Sequence, residues 1–255
     1  MTIDPLARFR LDGRVAIVTG ASSGLGVGFA GVLGAVGARL VLAARRADRL
    51  HEVAESLRKD GVEVLEVVAD VAVPEDCRRI VEAAVATFGA VDVLVNNAGV
   101  GPAVPASRDT VADFRAVIDV NLNGAFWMAQ AAGAVMPPGS AIVNVASVLG
   151  LVSGQYPQAS YAASKAGMIG LTRDLAQEWT GRKGIRVNAL CPGYFITELN
   201  EHVRDLQAEM VATHTIMGRF GEQEELDSAL LFLATPASSF VTGTTLVVDG
   251  GYTAI

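Results

Sequence analysis

Seven short runs rich in β-branched and apolar residues recur along the chain, at 15–19, 40–43, 62–68, 91–95, 141–145, 185–190 and 245–248. Each is separated from the next by a longer helix-compatible segment. Strand and helix in alternation predict a doubly wound parallel sheet. The runs are nearly continuous in apolar residues, which is how strands read when helices cover both faces of the sheet. The expected fold class is therefore α/β, a seven-stranded parallel sheet with helices on both faces. At 255 residues the chain fits one such domain over 1–255, since α/β folds commonly reach roughly 250 residues around one core. No Pro/Ser-rich linker, low-complexity tract or fixed-period repeat divides it.

Composition narrows the function classes. An apolar fraction of 51% against 18% charged residues is enough for a sizeable core and suggests further surface buried between subunits. A net charge of −7 leaves no electrostatic footprint for a polyanion, so nucleic acid is not an expected partner. Residues 1–10 lack the apolar run of a secretory signal, and a cytoplasmic location is expected. The interval 116–164 has no Lys, Arg or His, yet Asp119, Asn121, Asn123, Gln130, Pro137, Pro138 and Asn144 interrupt it before any spanning length. No membrane span is expected. Cys77 and Cys191 read as reduced packed thiols, and His51, His202 and His214 are too scattered for a metal cage.

In doubly wound sheets, ligands bind beyond the carboxyl ends of the strands. After the first strand comes Thr19-Gly20-Ala21-Ser22-Ser23-Gly24-Leu25-Gly26, leading into a helix. Glycines there let backbone N–H groups and the helix N-terminus meet a pyrophosphate, although an ordinary glycine-rich turn has the same look. The second strand ends in Ala43-Ala44-Arg45-Arg46, with no carboxylate before Asp48. A ribose diol calls for Asp or Glu at that place and a 2′-phosphate for Arg, so Arg45 favours NADP(H) and leaves NAD(H) possible. The alternative is a solvated arginine at a helix start. Asp70-Val71 follows the third strand and Asn96-Asn97-Ala98-Gly99 the fourth, where they suit an adenine and a ribose or serve as turn and cap.

Ser147 follows the fifth strand, and Tyr161-Ala162-Ala163-Ser164-Lys165 opens a long helical pattern. Tyr and Lys at i and i+4 share one helix face. A tyrosine, with pKa near ~10, is a poor base at neutral pH, and an adjacent ammonium would bring it toward the working range. Ser147 could then hold a substrate oxygen while Tyr161 exchanges its proton.

TGASSGLG at 19–26, Asp70, NNAG at 96–99, Asn121, Ser147, YAASK at 161–165 and Pro192-Gly193 with Thr197 together resemble the single-domain form of the short-chain dehydrogenase/reductase family, over essentially the whole chain. The resemblance implies a Rossmann-type fold and a catalytic tetrad of Asn121, Ser147, Tyr161 and Lys165. Tyr161 would be the acid in reduction and the base in oxidation, and Lys165 would also bind the nicotinamide ribose. Asn121 would hold a water linking Lys165 to solvent. Pro192, Gly193 and Thr197 resemble the segment that fixes the nicotinamide carboxamide, with Phe195 and Ile196 where backbone contacts are common. Cofactor contacts are thus expected from Gly20, Ser22, Ser23, Gly24, Leu25, Gly26, Arg45, Arg46, Asp70, Val71, Asn97, Ala98, Gly99, Tyr161, Lys165, Pro192, Gly193, Phe195 and Thr197. Two departures stand out: the 147–161 loop is slightly long, and Ser23 stands where some NADP(H)-preferring members carry a basic residue.

Residues 198–220 correspond to the family's variable lid. Leu199, Val203, Leu206, Met210, Val211, Ile216 and Met217 give it an apolar side, which suits a ketone or secondary alcohol of some apolar bulk and equally suits plain helix packing. The helices at 114–136 and 159–179 and the tail at 243–255 are the family's usual subunit contacts, so a homotetramer or homodimer is expected. The activity implied is reversible NADP(H)-dependent carbonyl reduction of a small molecule. The alternatives are an NAD-linked catabolic alcohol, polyol or steroid dehydrogenase, a 3-oxoacyl-carrier-protein reductase, and a non-catalytic nucleotide-binding regulator.

Overall fold

The structure is a computed structural model and describes residues 4–197 and 204–254. Strands β1 (Val15–Thr19), β2 (Arg39–Ala44), β3 (Val64–Val68), β4 (Val93–Asn96), β5 (Ala141–Val145), β6 (Arg186–Pro192) and β7 (Thr245–Val248) form one parallel sheet in the order β3-β2-β1-β4-β5-β6-β7. All seven lie within two residues of the expected runs. Each β1 side chain is fully buried or nearly so, and successive residues feed opposite layers. Ala16 and Val18 pack with Phe29 and Leu33 of α1 (Leu25–Ala35), Leu50 and Leu57 of α2 (Ala47–Lys59) and Leu226 and Leu230 of α8 (Gln223–Ala234). Val15 and Ile17 pack with Ile80 of α3 (Pro74–Phe88), Met128 of α5 (Gly124–Gly133) and Trp179 of α6 (Ala159–Lys183). A strand buried on both faces accepts a polar side chain only where a buried partner meets it, as at Thr19 and Asn144, which is why the sequence runs are nearly continuous in apolar residues.

Chain order reverses between β1 and β4, where one winding runs outward through β2 and β3 and the other through β5, β6 and β7. The loops beyond those strand ends diverge and leave a crevice. At the β3 edge, Arg58 and Arg79 donate to the carbonyls of Val64 and Val68, so cationic side chains blunt the exposed ladder.

The helix expected over 114–136 is two helices, α4 (Val111–Ile118) and α5, joined by a π-turn at Asp119–Asn123. The extra residue of a π-turn rotates the helical residues beyond it. Here it turns Asn121 inward, fully buried, with its amide bonded to both the carbonyl and the N–H of Val100.

Candidate active site

The crevice is a cleft of about 610 Å³ crossing the carboxyl ends of β1 to β6, within the usual size range for a small-molecule or cofactor site. Of the residues singled out from sequence, Gly20, Ser22, Ser23, Gly24, Leu25, Arg45, Arg46, Asp70, Val71, Asn97, Ala98, Gly99, Ser147, Tyr161, Lys165, Pro192, Gly193, Phe195 and Thr197 line it. Gly26 and Asn121 do not, and stand one layer behind.

At the β1 end the backbone turns through Gly20 (φ 66°) and Gly24 (φ 55°), the left-handed region that favours glycine. A Cβ on Gly20 would lie 2.8 Å from Ala98 Cα, and one on Gly26 would strike the Gly20 carbonyl. Gly26 therefore serves the turn's packing rather than the cleft surface. Thr19 welds this turn to the one after β4: its buried hydroxyl accepts from the N–H of Asn97 at 3.0 Å and of Ala98 at 3.1 Å, while Asn97 Nδ2 donates to the Thr19 carbonyl at 2.9 Å. Leu25 opens α1, so the first helical N–H groups and the positive end of the helix dipole face the cleft.

At the β2 end, Arg46 donates from Nη2 to Ser23 Oγ at 2.5 Å and to Ser22 Oγ at 3.5 Å. The glycine turn has no basic residue of its own, but the neighbouring loop reaches over to supply one. Arg45 is 63% exposed and sits 3.7 Å from Asp70 Oδ2, a loose surface pair of little energetic weight. The Asp70 carboxylate also accepts from Ala72 N at 3.0 Å, closing the turn after β3.

At the opposite end, Ser147, Tyr161 and Lys165 come together from β5 and the first turns of α6. Lys165 is 3% exposed, its Nζ donates to the Val145 carbonyl at 2.7 Å, and it lies 5.6 Å from the centroid of the Tyr161 ring. Burial pushes the Lys165 ammonium down to about 8. The Tyr161 phenol is raised, because burial outweighs the Ser147 hydroxyl, which acts to lower it. Proximity in sequence predicts that Lys165 lowers this phenol; in the structure the ammonium sits over the ring and desolvation is the larger effect. Gly101 makes the approach possible, since a Cβ there would lie 2.9 Å from Tyr161 Cδ2.

Asn121 has its amide committed to Val100 and, at 3.0 Å, to Ser164 Oγ. A Cβ on Gly99 would lie 3.4 Å from Asn121 Oδ1 and 3.5 Å from Lys165 Nζ, which places Asn121 behind Gly99 on the lysine's side.

Of the lid expected over 198–220, residues 198–203 lie outside the described residues, Leu199 and Val203 among them, as does the Leu206 side chain. Helix α7 (Arg204–His214) buries Met210 and Val211 against Val148 and Tyr252. Ile216 and Met217 do not join them and are 65% and 58% exposed, so the apolar side is shorter than the spacing suggests. His214 Nε2 lies 2.6 Å from Gln155 Nε2, tying α7 to the 147–161 loop. Val100, Val120, Val145 and Ala146 also line the cleft, contributing backbone and small apolar surface that no motif marks.

Comparison with known proteins agrees with this geometry. The family model described as Enoyl-(Acyl carrier protein) reductase matches residues 20–253. The galactitol 2-dehydrogenase (L-tagatose-forming) of Cereibacter sphaeroides is 44% identical over 252 residues, covering 96% of this chain and 97% of the relative. A short-chain type dehydrogenase/reductase from Mycobacterium marinum superposes with a TM-score of 0.94 at 33% identity, covering 99% and 100% of the two chains. A gluconate 5-dehydrogenase from Burkholderia cenocepacia, solved in complex with NADP and tartrate, does so with a TM-score of 0.91 at 38% identity, covering 99% and 100%. No helix among the described residues is long and apolar enough to cross a membrane. With that turn, that Ser147–Tyr161–Lys165 grouping and those relatives, the chain belongs to the short-chain dehydrogenase/reductase family and is an oxidoreductase acting on alcohols and ketones.

Proposed function

We propose that this protein interconverts a secondary alcohol and a ketone with NADP(H), and that Tyr161 carries the proton. The observation behind the reading is the layout of one cleft, with Tyr161, Ser147 and a buried lysine at one end and Arg45 and Arg46 at the other. The residues fit a dinucleotide. The turn holds its shape through glycine, since a Cβ on Gly20 would strike the Asn97-Ala98 turn and Gly24 has a positive φ, and the start of α1 offers its N–H groups to a pyrophosphate. Arg46 with Ser22 and Ser23, and Arg45 beside them, make a cationic, hydroxyl-bearing end suited to a 2′-phosphate. The NADP complex of the gluconate 5-dehydrogenase neighbour supports that choice.

Bound along the cleft, the nicotinamide would supply or accept the hydride. Ser147 orients the substrate oxygen by hydrogen bond. Tyr161 gives its proton to that oxygen in reduction and takes it back in oxidation, and a phenol raised by burial is protonated and ready for the first of these. Lys165 holds positive charge beside the ring as the proton leaves, and Gly99 with Asn121 closes the wall behind it. Galactitol and gluconate, the substrates in the names of two relatives, support a small alcohol as the substrate class.

Tyr161→Phe keeps the ring and removes the proton. Its kcat should fall by about 10²–10⁴, the usual contribution of a positioned acid or base. Turnover near that of the parent enzyme would refute the assignment. We also propose a homotetramer or homodimer that works in the cytoplasm. Val111 and Phe114 on α4 and Phe240 before β7 are 68%, 39% and 103% exposed, apolar surface of the kind subunits cover, and both cysteines are buried and free. A monomer in light scattering refutes the assembly.

A further inference from the structure

Behind the proposed proton-transfer site lies a chain of buried polar side chains between the sheet and α6. Asn96 on β4 and Asn144 on β5 are register partners, 3% and 0% exposed. Asn96 Nδ2 donates to Asn144 Oδ1 at 2.9 Å and to the Ala125 carbonyl at 3.1 Å. Asn144 Nδ2 donates at 2.9 Å to Thr172 Oγ1, which itself donates to the Met168 carbonyl at 2.8 Å. Stability alone does not require this network. Asn96 Oδ1 is buried without a partner, at a cost of about 1–3 kcal/mol that apolar side chains of similar size would avoid.

Its placement offers another reason. Thr172 follows Lys165 by seven residues, two helical turns, so both lie on the same face of α6 about 10 Å apart. Asn144 immediately precedes Val145, whose carbonyl accepts from Lys165 Nζ. Helix α6 is thus pinned to β5 at two points, one at Asn144–Thr172 and one at Val145–Lys165. The first has defined partners and length, whereas the surrounding contacts of Met168, Leu175 and Ala176 are apolar and non-directional.

We propose that Asn144 and Thr172 form a positioning strut that sets the height of α6 on the sheet, and with it the seat of Lys165 against Val145. The inference rests on the reading of Tyr161 and Lys165 given above for its functional meaning. The structural claim stands apart from that reading and is tested without turnover.

Lys59, Lys165 and Lys183 are the only lysines in the sequence, so the full chain labelled with [13Cε]lysine gives three resonances to titrate by NMR. Among the described residues, the titratable groups acting on Lys165 are Tyr161 on its own helix and the Cys191 thiol on β6. The Thr172→Val substitution keeps the shape and removes the hydroxyl. In it the Lys165 inflection, near 8 in the parent, should move upward by about half a pH unit or more, equivalent to about 0.7 kcal/mol. Thr172→Ser should restore the parent value, and Lys59 and Lys183 should not move. The triple variant Asn96→Leu, Asn144→Leu, Thr172→Val removes the whole network and so leaves no orphaned amide on either asparagine, which guards against a folding defect; it should show the same shift. An unmoved Lys165 resonance in both variants overturns the strut, whatever happens to their melting temperatures. Loss of activity in Tyr161→Phe is independent of this outcome, so failure of the catalytic reading and failure of the strut are told apart.

Discussion

The hydroxyl of Thr19 joins the two halves of the sheet at the switch point, and Thr19→Val removes it while keeping the volume. Thr19 is 1% exposed, so no water replaces the lost oxygen. Three bonds go: those received from Asn97 N and Ala98 N, and the one donated to the Val95 carbonyl at 3.3 Å. They are not lost equally. Asn97 N also donates to the Val95 carbonyl at 3.1 Å, so that donor and that acceptor keep each other. Ala98 N–H alone is orphaned, which costs about 1–3 kcal/mol, and the weak donated bond adds about 0.5–1 kcal/mol. The expected loss is therefore about 2–4 kcal/mol, or roughly 5–12 °C in Tm for a chain of this size. Thr19→Ser keeps the hydroxyl and gives up one buried methyl, about 1 kcal/mol. Urea unfolding followed by Trp127 and Trp179 fluorescence, at one protein concentration for all variants, measures the series. NADPH titration should also show weaker binding to Thr19→Val, because the Asn97-Ala98 turn walls the cleft. A Thr19→Val protein within about 1 kcal/mol of the parent, or more stable than Thr19→Ser, would refute this account of the weld.

Arg46→Ala should weaken NADPH by about tenfold relative to its effect on NADH, the lower end expected for a charge-assisted contact at a partly exposed site, and equal weakening of both cofactors in fluorescence titration would count against the 2′-phosphate reading. Lys165 titrates near 8 when folded and at 10.5 in its ordinary state, so between those values the unfolded chain holds the extra proton and stability rises with pH. The parent should gain on Lys165→Met by about 3 kcal/mol across that window in paired unfolding curves, and a flat difference would show that the ammonium is not desolvated. Gly101→Ala sets a methyl 2.9 Å from Tyr161 Cδ2, and overpacking there should cost about 1–3 kcal/mol and lower kcat more than it raises KM. An unchanged kcat with altered stability would mean that Tyr161 does not depend on that contact.

The strands and the helix-covered faces of the sheet are legible in the chain because the central strands are buried on both sides, and such burial leaves a nearly continuous apolar run; β3 and β7, only partly buried, are read from β-branched residues instead. The glycine turn is legible for a related reason: a close approach of backbone to backbone excludes Cβ atoms, and glycine is the one residue type that records such exclusion. Other parts of the site leave no such record. The partner of Lys165 Nζ is the carbonyl of Val145, and any residue at 145 would supply a carbonyl. Arg46 meets Ser22 and Ser23 across 23 or more positions of sequence, so the basic group that the glycine turn lacks is found only when the β2 loop is folded over it. Asn121 carries the family's expected residue type, but its environment comes from a π-turn that periodicity reads as continuous helix.

Tyr161 shows where local reasoning reaches its limit. Spacing of i and i+4 correctly puts Lys165 on its helix face, and proximity alone then predicts a lowered phenol. The pair lies 5.6 Å apart, ring to ammonium, in a place where desolvation raises the phenol and depresses the lysine together. Both shifts favour the uncharged forms, so charge on either group is costly until something in the cleft meets it. Local motifs therefore specify which groups reach the site, whereas their protonation depends on how deeply the sheet and helices bury them. That depth is set by contacts remote in sequence, Thr19 with Ala98 and Asn144 with Thr172, each a buried hydrogen bond of defined length between elements that apolar packing alone would leave free to slide.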